Sequence, residues 1–184
     1  SRSHPRFLRK LFELETPELG SGAVDIKGIV REAGSRTKLA VSAEDEHIDP
    51  VGALVGQRGV RVSTVMSELG GEKIDIIEWS DDPIQFIEDA LSPAKVLDVE
   101  VDEENSRAVV QVAEDQQSLA IGKGGQNVRL AAKLTGWRID IQSKGGEQIA
   151  EADEAGDVEM NKEDTPHDDS EGGVDGYVDC LLGL

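Results

Sequence analysis

An eight-residue phrase centred on a glycine loop occurs twice in this chain, and that repetition constrains the fold more than any local propensity does. Val55-Gly56-Gln57-Arg58-Gly59-Val60-Arg61-Val62 matches Ile121-Gly122-Lys123-Gly124-Gly125-Gln126-Asn127-Val128 at an offset of 66 residues. Leu69-Gly70-Gly71-Glu72-Lys73-Ile74-Asp75-Ile76 then matches Leu134-Thr135-Gly136-Trp137-Arg138-Ile139-Asp140-Ile141 at an offset of 65. Upstream, Ala43-Glu44-Asp45 recurs as Ala113-Glu114-Asp115 at an offset of 70, so the first copy carries about four extra residues around His47 to Pro50. Two small domains of the same build are expected, each near the lower size limit for independent folding.

Hydrophobic periodicity gives both copies the same order of elements. Phe7, Leu8, Leu11 and Phe12 share a helical face after Ser3 and Pro5, as do Ile84, Ile87 and Leu91 after Asp82-Pro83. Val24 and Ile26, then Leu39 and Val41, alternate with polar residues across a Gly34-Ser35 turn. Leu97, Val99 and Val101, then Val110 and Val112, do so across an acidic turn near Asn105. A short helix ending at the glycine loop, a longer helix (60–69 and 126–134) and a last strand (73–79 and 137–142) complete each copy. The expected fold is α+β, helix-strand-strand-helix-helix-strand twice, over 1–80 and 81–144. From about Gly145 the apolar periodicity stops, and 145–184 reads as an acidic, disordered tail. Its end, Tyr177 to Leu182, is a small apolar cluster that suits a docking motif, a frayed terminus or a truncated domain.

The formal net charge of −19 argues at first against a polyanionic ligand. Thirteen of the acids fall in residues 144–184 against two bases, Lys144 and Lys162, whereas bases gather around the two glycine loops. Six aromatics among 184 residues leave few rings for stacking, so a nucleic-acid contact would rest on backbone, charge and aliphatic surface. The lone Cys180 excludes an internal disulfide and suits a reducing, cytoplasmic setting. The histidines at 4, 47 and 167 show no metal-ligand spacing, and neither a metal nor a cofactor is expected. The chain opens on Ser1 and has no run long enough to span a membrane, which reads as a soluble, monomeric piece of a longer protein. Arg2, Arg6, Arg9 and Lys10 could make the first helix a membrane-surface segment, but Glu13 and Glu15 interrupt the basic face and packing on a sheet is simpler.

A G-x-x-G tetrapeptide carries little information alone, and a third copy, Gly173-Val174-Asp175-Gly176, lies in the acidic tail with no helical pattern beside it. The other two sit between helical patterns, follow an aliphatic residue (Val55, Ile121), and enclose a base (Arg58, Lys123). A loop leaving one helix and opening another presents unpaired amides and the positive end of a helix dipole, which together attract anions. Glycine lets a sugar-phosphate backbone approach closely. Arg61 and Arg129, one turn further on, could reach adjacent phosphates. The bland reading, that these glycines only make tight helix–helix turns, is weakened by the repeated basic decoration. Nucleotide-enzyme readings fail on spacing: neither loop has the Lys-Ser/Thr ending of a P-loop, and no G-x-G-x-x-G follows a strand. Asp81-Asp82 reads as a helix start rather than an acid–base pair, and no enzyme activity is expected.

A loop of this kind between paired helices is the signature of the KH domain, in which it clamps four nucleotides of single-stranded nucleic acid. The helix-first order resembles the bacterial, type II form of that fold. Ser3-His4-Pro5, Leu11-Phe12-Glu13-Leu14-Glu15, Asp49-Pro50-Val51-Gly52-Ala53, Gly70-Gly71-Glu72-Lys73-Ile74-Asp75-Ile76, Ala90-Leu91-Ser92-Pro93-Ala94-Lys95-Val96 and Ser118-Leu119-Ala120-Ile121-Gly122-Lys123-Gly124-Gly125-Gln126-Asn127 closely resemble the tandem KH region of the NusA family of bacterial transcription factors. The resemblance covers residues 1 to about 143. It implies two KH domains packed as one unit that binds nascent single-stranded RNA near RNA polymerase and influences pausing, termination and antitermination. It implies RNA-binding roles for Gly56, Gln57, Arg58, Gly59 and Arg61, and for Gly122, Lys123, Gly124, Gly125, Gln126, Asn127 and Arg129. The family's polymerase-binding and OB-fold domains have no counterpart here, so the main contact with the RNA polymerase elongation complex is expected outside this chain. Another type II KH protein, acting in ribosome assembly or as an RNA chaperone, is the alternative.

Overall fold

The computed structural model describes residues 1–161. Seven helices and eight strands follow in the order α1 (Pro5–Glu15), α2 (Pro17–Gly20), β1 (Val24–Glu32), β2 (Arg36–Ala43), α3 (Pro50–Val55), α4 (Val60–Glu68), β3 (Lys73–Glu78), α5 (Pro83–Ala90), β4 (Asp98–Asp102), β5 (Arg107–Val112), α6 (Gln117–Ile121), α7 (Gln126–Thr135), β6 (Arg138–Ser143), β7 (Gln148–Ala152) and β8 (Val158–Met160). Each copy has the expected helix-strand-strand-helix-helix-strand core, with α2 as a short addition to the first. Among the described residues no helix is long and apolar enough to cross a membrane.

Local chemistry starts several helices in the same way. Asp49 and Asp82 each accept a backbone N–H of the helix they precede, from Gly52 and Ile84 at 3.0 Å, and each is followed by a proline whose fixed φ suits the first helical position. At α1 the cap is His4 rather than Ser3: its Nδ1 accepts the Arg6 amide at 3.1 Å. The extra residues of the first copy form the loop before Asp49, where the second copy has a single 3₁₀ turn at Glu114–Gln116.

In both domains the middle strand pairs antiparallel with the strand before it and parallel with the strand after the helix pair. Leu8 and Phe12 of α1 close the first core over Val24, Leu39, Val41, Leu54 and Val65. Phe86, Ile87 and Leu91 open the second, over Val110, Val112, Val128, Ile139 and Ile141. Ala40 and Ile77, from the first sheet, belong to that second core, so the two domains share one apolar layer. Strand β2 is buried on both faces as a result: Leu39 and Val41 point to one domain, Lys38 and Ala40 to the other.

Lys38 is fully buried in this layer. Its Nζ donates to Asp75 Oδ2 at 2.9 Å and to the Ser92 carbonyl, just past the end of α5 in the second domain, at 2.8 Å. Arg36 grips the same Asp75 through two bonds of 2.7 and 3.1 Å. The second domain repeats the motif without the lysine, as Arg107 donates to the buried Asp140 at 2.6 Å. Burial lowers the Lys38 pKa to about 8, against the opposing pull of Asp75.

The acidic tail expected from residue 145 does not start there. Residues 148–160 form a β7–β8 hairpin that extends the second sheet to five strands, with Ile141 opposite Ala150 and Ile139 opposite Ala152. Ile149, Ala150 and Ala152 are buried. Small side chains give this strand little hydrophobic signal, while the free edge of β6 supplies its pairing. The rest of the expected tail, with the third G-x-x-G and the apolar end, lies outside the described residues.

Two tests follow from the packing. A chain ending at Gly145 should melt several degrees below one ending at Asn161, since burial of Ile149 alone is worth roughly 1.5–3 kcal/mol; equal melting curves would show that the hairpin contributes nothing. Because the folded Lys38 pKa lies below its unfolded value, the unfolded state binds more protons between about pH 8 and 10.5. Stability relative to Lys38→Met, in which Asp75 keeps Arg36, should therefore rise with pH across that window in urea titrations.

Candidate nucleic-acid interface

The two loops have nearly the same backbone. Gly56 and Gly122 both sit at φ 76° and ψ 173°, Arg58 and Gly124 at φ 53° and 60°, and Gly59 and Gly125 at φ 74° and 75°. The first glycine is required twice over. At its positive φ a side chain is strained, and an added Cβ would come within 2.7 Å of Arg61 Cγ in one loop and of the Asn127 amide nitrogen in the other. The last glycine begins the next helix, and neither α4 nor α7 has a side chain capping its first-turn amides. The first of those amides is donated within the loop, from Val60 to the Gln57 carbonyl and from Gln126 to the Lys123 carbonyl, and the positive end of the helix dipole behind them favours a phosphate.

The middle pair of each loop, Gln57-Arg58 and Lys123-Gly124, is exposed. Among the described residues neither Arg58 nor Lys123 is in an ion pair. Beside the first loop an open groove of about 470 Å³ is lined by Glu18, Gly52, Ala53, Gly56, Gln57, Val60 and Arg61, with Val60 offering aliphatic surface.

Other residues expected to touch RNA are held by the protein itself. Arg61 and Asn127, at equivalent positions, turn back onto the helix before their loop. Arg61 donates to the Ala53 carbonyl at 2.7 Å and to Glu18 at 2.9 Å. Asn127 is fully buried and donates to the Ala120 and Leu91 carbonyls, each at 3.0 Å. Both satisfy carbonyls at or beside a helix end and so lock the helix–loop–helix angle. Gln126 and Arg129 reach the first domain: Arg129 Nε donates to Glu32 Oε1 at 2.6 Å, and Gln126 Nε2 to Glu32 Oε2 at 2.6 Å and Ser35 Oγ at 2.7 Å. Spacing places Arg61 and Arg129 near the loop centres and the family resemblance adds Gln126 and Asn127, but neither reveals what each side chain is bonded to. Glu32 and Ser35 carried no signal at all.

The profile of the NusA-like first KH domain matches residues 2–79, and that of the NusA-like second KH domain matches residues 83–149. The chain belongs to the NusA-type KH family. It is 55% identical over 159 residues to the transcription termination/antitermination protein NusA of Halalkalibacterium halodurans, covering 86% of this chain and 40% of that protein. NusA of Bacillus subtilis is 56% identical over 144 residues (78% of this chain, 39% of the relative), and that of Thermus thermophilus 50% over 155 residues (84% and 39%). The chain thus spans about two fifths of the length of these NusA relatives. The crystal structure of APE1850 is similar in fold, with a TM-score of 0.53 at 28% identity, covering 73% of this chain and 95% of that one.

Arg58 is the one member of the two loops that holds a side chain at the strained third position, where the second loop has Gly124. A non-glycine residue there costs roughly 1–2 kcal/mol, partly offset in any glycine variant by a more flexible unfolded chain. Arg58→Gly should therefore hold or raise the melting temperature, Arg58→Ala should not raise it, and Gly122→Ala should lower it by several degrees. A loss of stability in Arg58→Gly would mean that the guanidinium supports the fold.

Proposed function

We propose that this chain is the RNA-binding part of a transcription elongation factor, gripping single-stranded nascent RNA with both GXXG loops and so influencing pausing, termination and antitermination. What carries the reading is the duplicated loop. Twice the same backbone sets a helix N-terminus with no side-chain cap next to an exposed base that, among the described residues, no carboxylate neutralises, while Arg61 and Arg129 in the following turns are already paired. Gln57, Arg58, Lys123 and Gly124 meet the phosphates. Gly56, Gly59, Gly122 and Gly125 allow the approach, and Arg61, Asn127, Gln126 and Arg129 keep the loops in shape. Contact with the polymerase elongation complex falls chiefly to parts of the relatives that this chain does not match, and the fragment acts in the cytoplasm as a monomer without a cofactor.

Placing carboxylates at the loop centres tests this directly. Gln57→Asp with Arg58→Asp, or Lys123→Asp with Gly124→Asp, should leave folding intact and weaken binding to an unstructured RNA roughly tenfold to a hundredfold each, the worth of one charge-assisted contact at about 1.5–3 kcal/mol. The combination should be weaker still, and wild-type affinity should fall linearly on a log–log plot against salt. Val174→Asp, in the third G-x-x-G, is the matched control and should change little. Folded loop variants that bind RNA as tightly as the wild type would reduce the glycines to structural turns.

A further inference from the structure

The second loop does not stand alone. Arg129 bridges two partners: its Nε donates to Glu32 of the first domain at 2.6 Å, and its Nη1 donates to the Gly124 carbonyl at the exposed centre of the loop at 3.2 Å. Gln126, the first residue of α7, donates to the other oxygen of the same carboxylate. One side chain of the first domain therefore holds two of the three polar residues in the second loop's opening helical turn.

That carboxylate is firmly mounted. Glu32 ends β1, and the turn after it is fixed by the buried Glu72, which accepts from Arg31 at 2.8 and 2.9 Å, from Thr37 Oγ1 at 2.5 Å and from the Gly34 amide at 3.0 Å. Arg31 in turn donates to the Arg2 and His4 carbonyls at 2.6 and 3.2 Å, tying the turn to the start of α1. Alongside, β1 bulges between Ile26 and Gly28, and the absent side chain at Gly28 admits Leu134 of α7, whose Cδ1 would lie 3.2 Å from a Cβ there. The Arg129 hydrogen bond, with help from Gln126, holds the Glu32 carboxyl below its usual pKa, so it is ionised at neutral pH. The first loop has no such brace, since Arg61 is held by Glu18 within its own domain.

We propose that Glu32 is a positioning residue for the second RNA loop: through Arg129 and Gln126 it sets the Gly124 carbonyl and the opening turn of α7, making the second RNA site a composite of both domains. The proposal rests on the reading of the loops as RNA sites and adds an asymmetry to it. The first loop is self-sufficient, whereas the second depends on a residue more than 90 positions upstream. Ionic pairing also keeps Arg129 from acting as a free phosphate contact.

The test uses the full 184-residue chain and a short unstructured RNA. With the first loop disabled by Gln57→Asp and Arg58→Asp, Glu32→Ala should weaken the remaining binding about tenfold. With the second loop disabled by Lys123→Asp and Gly124→Asp, the same change should have less than a twofold effect. The conservative variant Glu32→Gln, which keeps an acceptor oxygen for Arg129 and Gln126, should lose clearly less binding than Glu32→Ala. Backbone ¹⁵N order parameters read the brace without RNA: in Glu32→Ala they should fall at Lys123 to Gly125 and stay constant at Gln57 to Gly59. Equal losses in both backgrounds, or unchanged order at the second loop, would overturn the brace. A wild type that binds no RNA would overturn the loop reading instead, with the order parameters still deciding the fate of the brace.

Discussion

Strand β2 is covered on both faces, and the rest of the structure is arranged around that burial. One face completes the core under α1 and α4, and the other joins the second domain through Ala40. A strand used in this way cannot slip by one residue without moving both sets of contacts at once. Lys38 adds direction to the apolar layer, because its ammonium has two good acceptors there, Asp75 and the Ser92 carbonyl. Such a buried charge contributes little net stability compared with a well-packed apolar residue. Its effect is geometric: the turn that leaves α5 and carries Ser92 is held at one height against β2, and the end of α5 with it. The separation of the two loops is thereby a property of a packed core rather than of a flexible joint.

Much of this architecture was legible in the sequence because it rests on strong local signals. The Asp-Pro pairs start helices, the aliphatic alternation gives strands, and the repeated glycine phrase forces the same turn twice. The parts that were not legible depend on partners distant along the chain. Lys38 in a strand of alternating character reads as a solvent-facing residue, and only the second domain's arrival buries it. Glu32 is one acid among 38, with nothing to distinguish it until α7 lies beside it. Arg61 looks like an RNA contact by spacing and Asn127 by family resemblance, yet each is needed at a helix end. The β7 strand was read as tail since Ala150, Glu151 and Ala152 carry almost no hydrophobic pattern; an unpaired β6 edge is a tertiary circumstance that composition does not record.

The acidic total loses its apparent conflict with RNA once the carboxylates are placed. Glu18 holds Arg61, Glu32 holds Arg129, Glu72 holds Arg31, Asp75 holds Arg36 and Lys38, and Asp140 holds Arg107. Each pairing removes a base from competition for phosphate and uses it to fix a loop, a turn or a strand. Arg58 and Lys123 are left outside this accounting, at loop centres where helix amides add to their field. Over a screening length of about 8 Å in physiological salt, a phosphate at either loop responds to those few groups rather than to the sum over the chain.

The two loops share a backbone but not a charge position, and the difference has mechanical meaning. In the first, the base sits at the third position, where Arg58 holds a left-handed conformation that glycine would adopt without cost. In the second, Lys123 sits one residue earlier in an unstrained conformation, and Gly124 takes the left-handed place. Strain kept at an exposed position with no packing role is most simply explained by what the side chain does there. The long, planar guanidinium projects from the centre of the first loop, whereas the second loop offers a bare backbone at the same point and relies on the Arg129 bond to its Gly124 carbonyl for definition. A strand crossing both loops would therefore meet an exposed charged arm at one and a braced backbone cradle at the other, so the duplicated fold supplies two unlike grips.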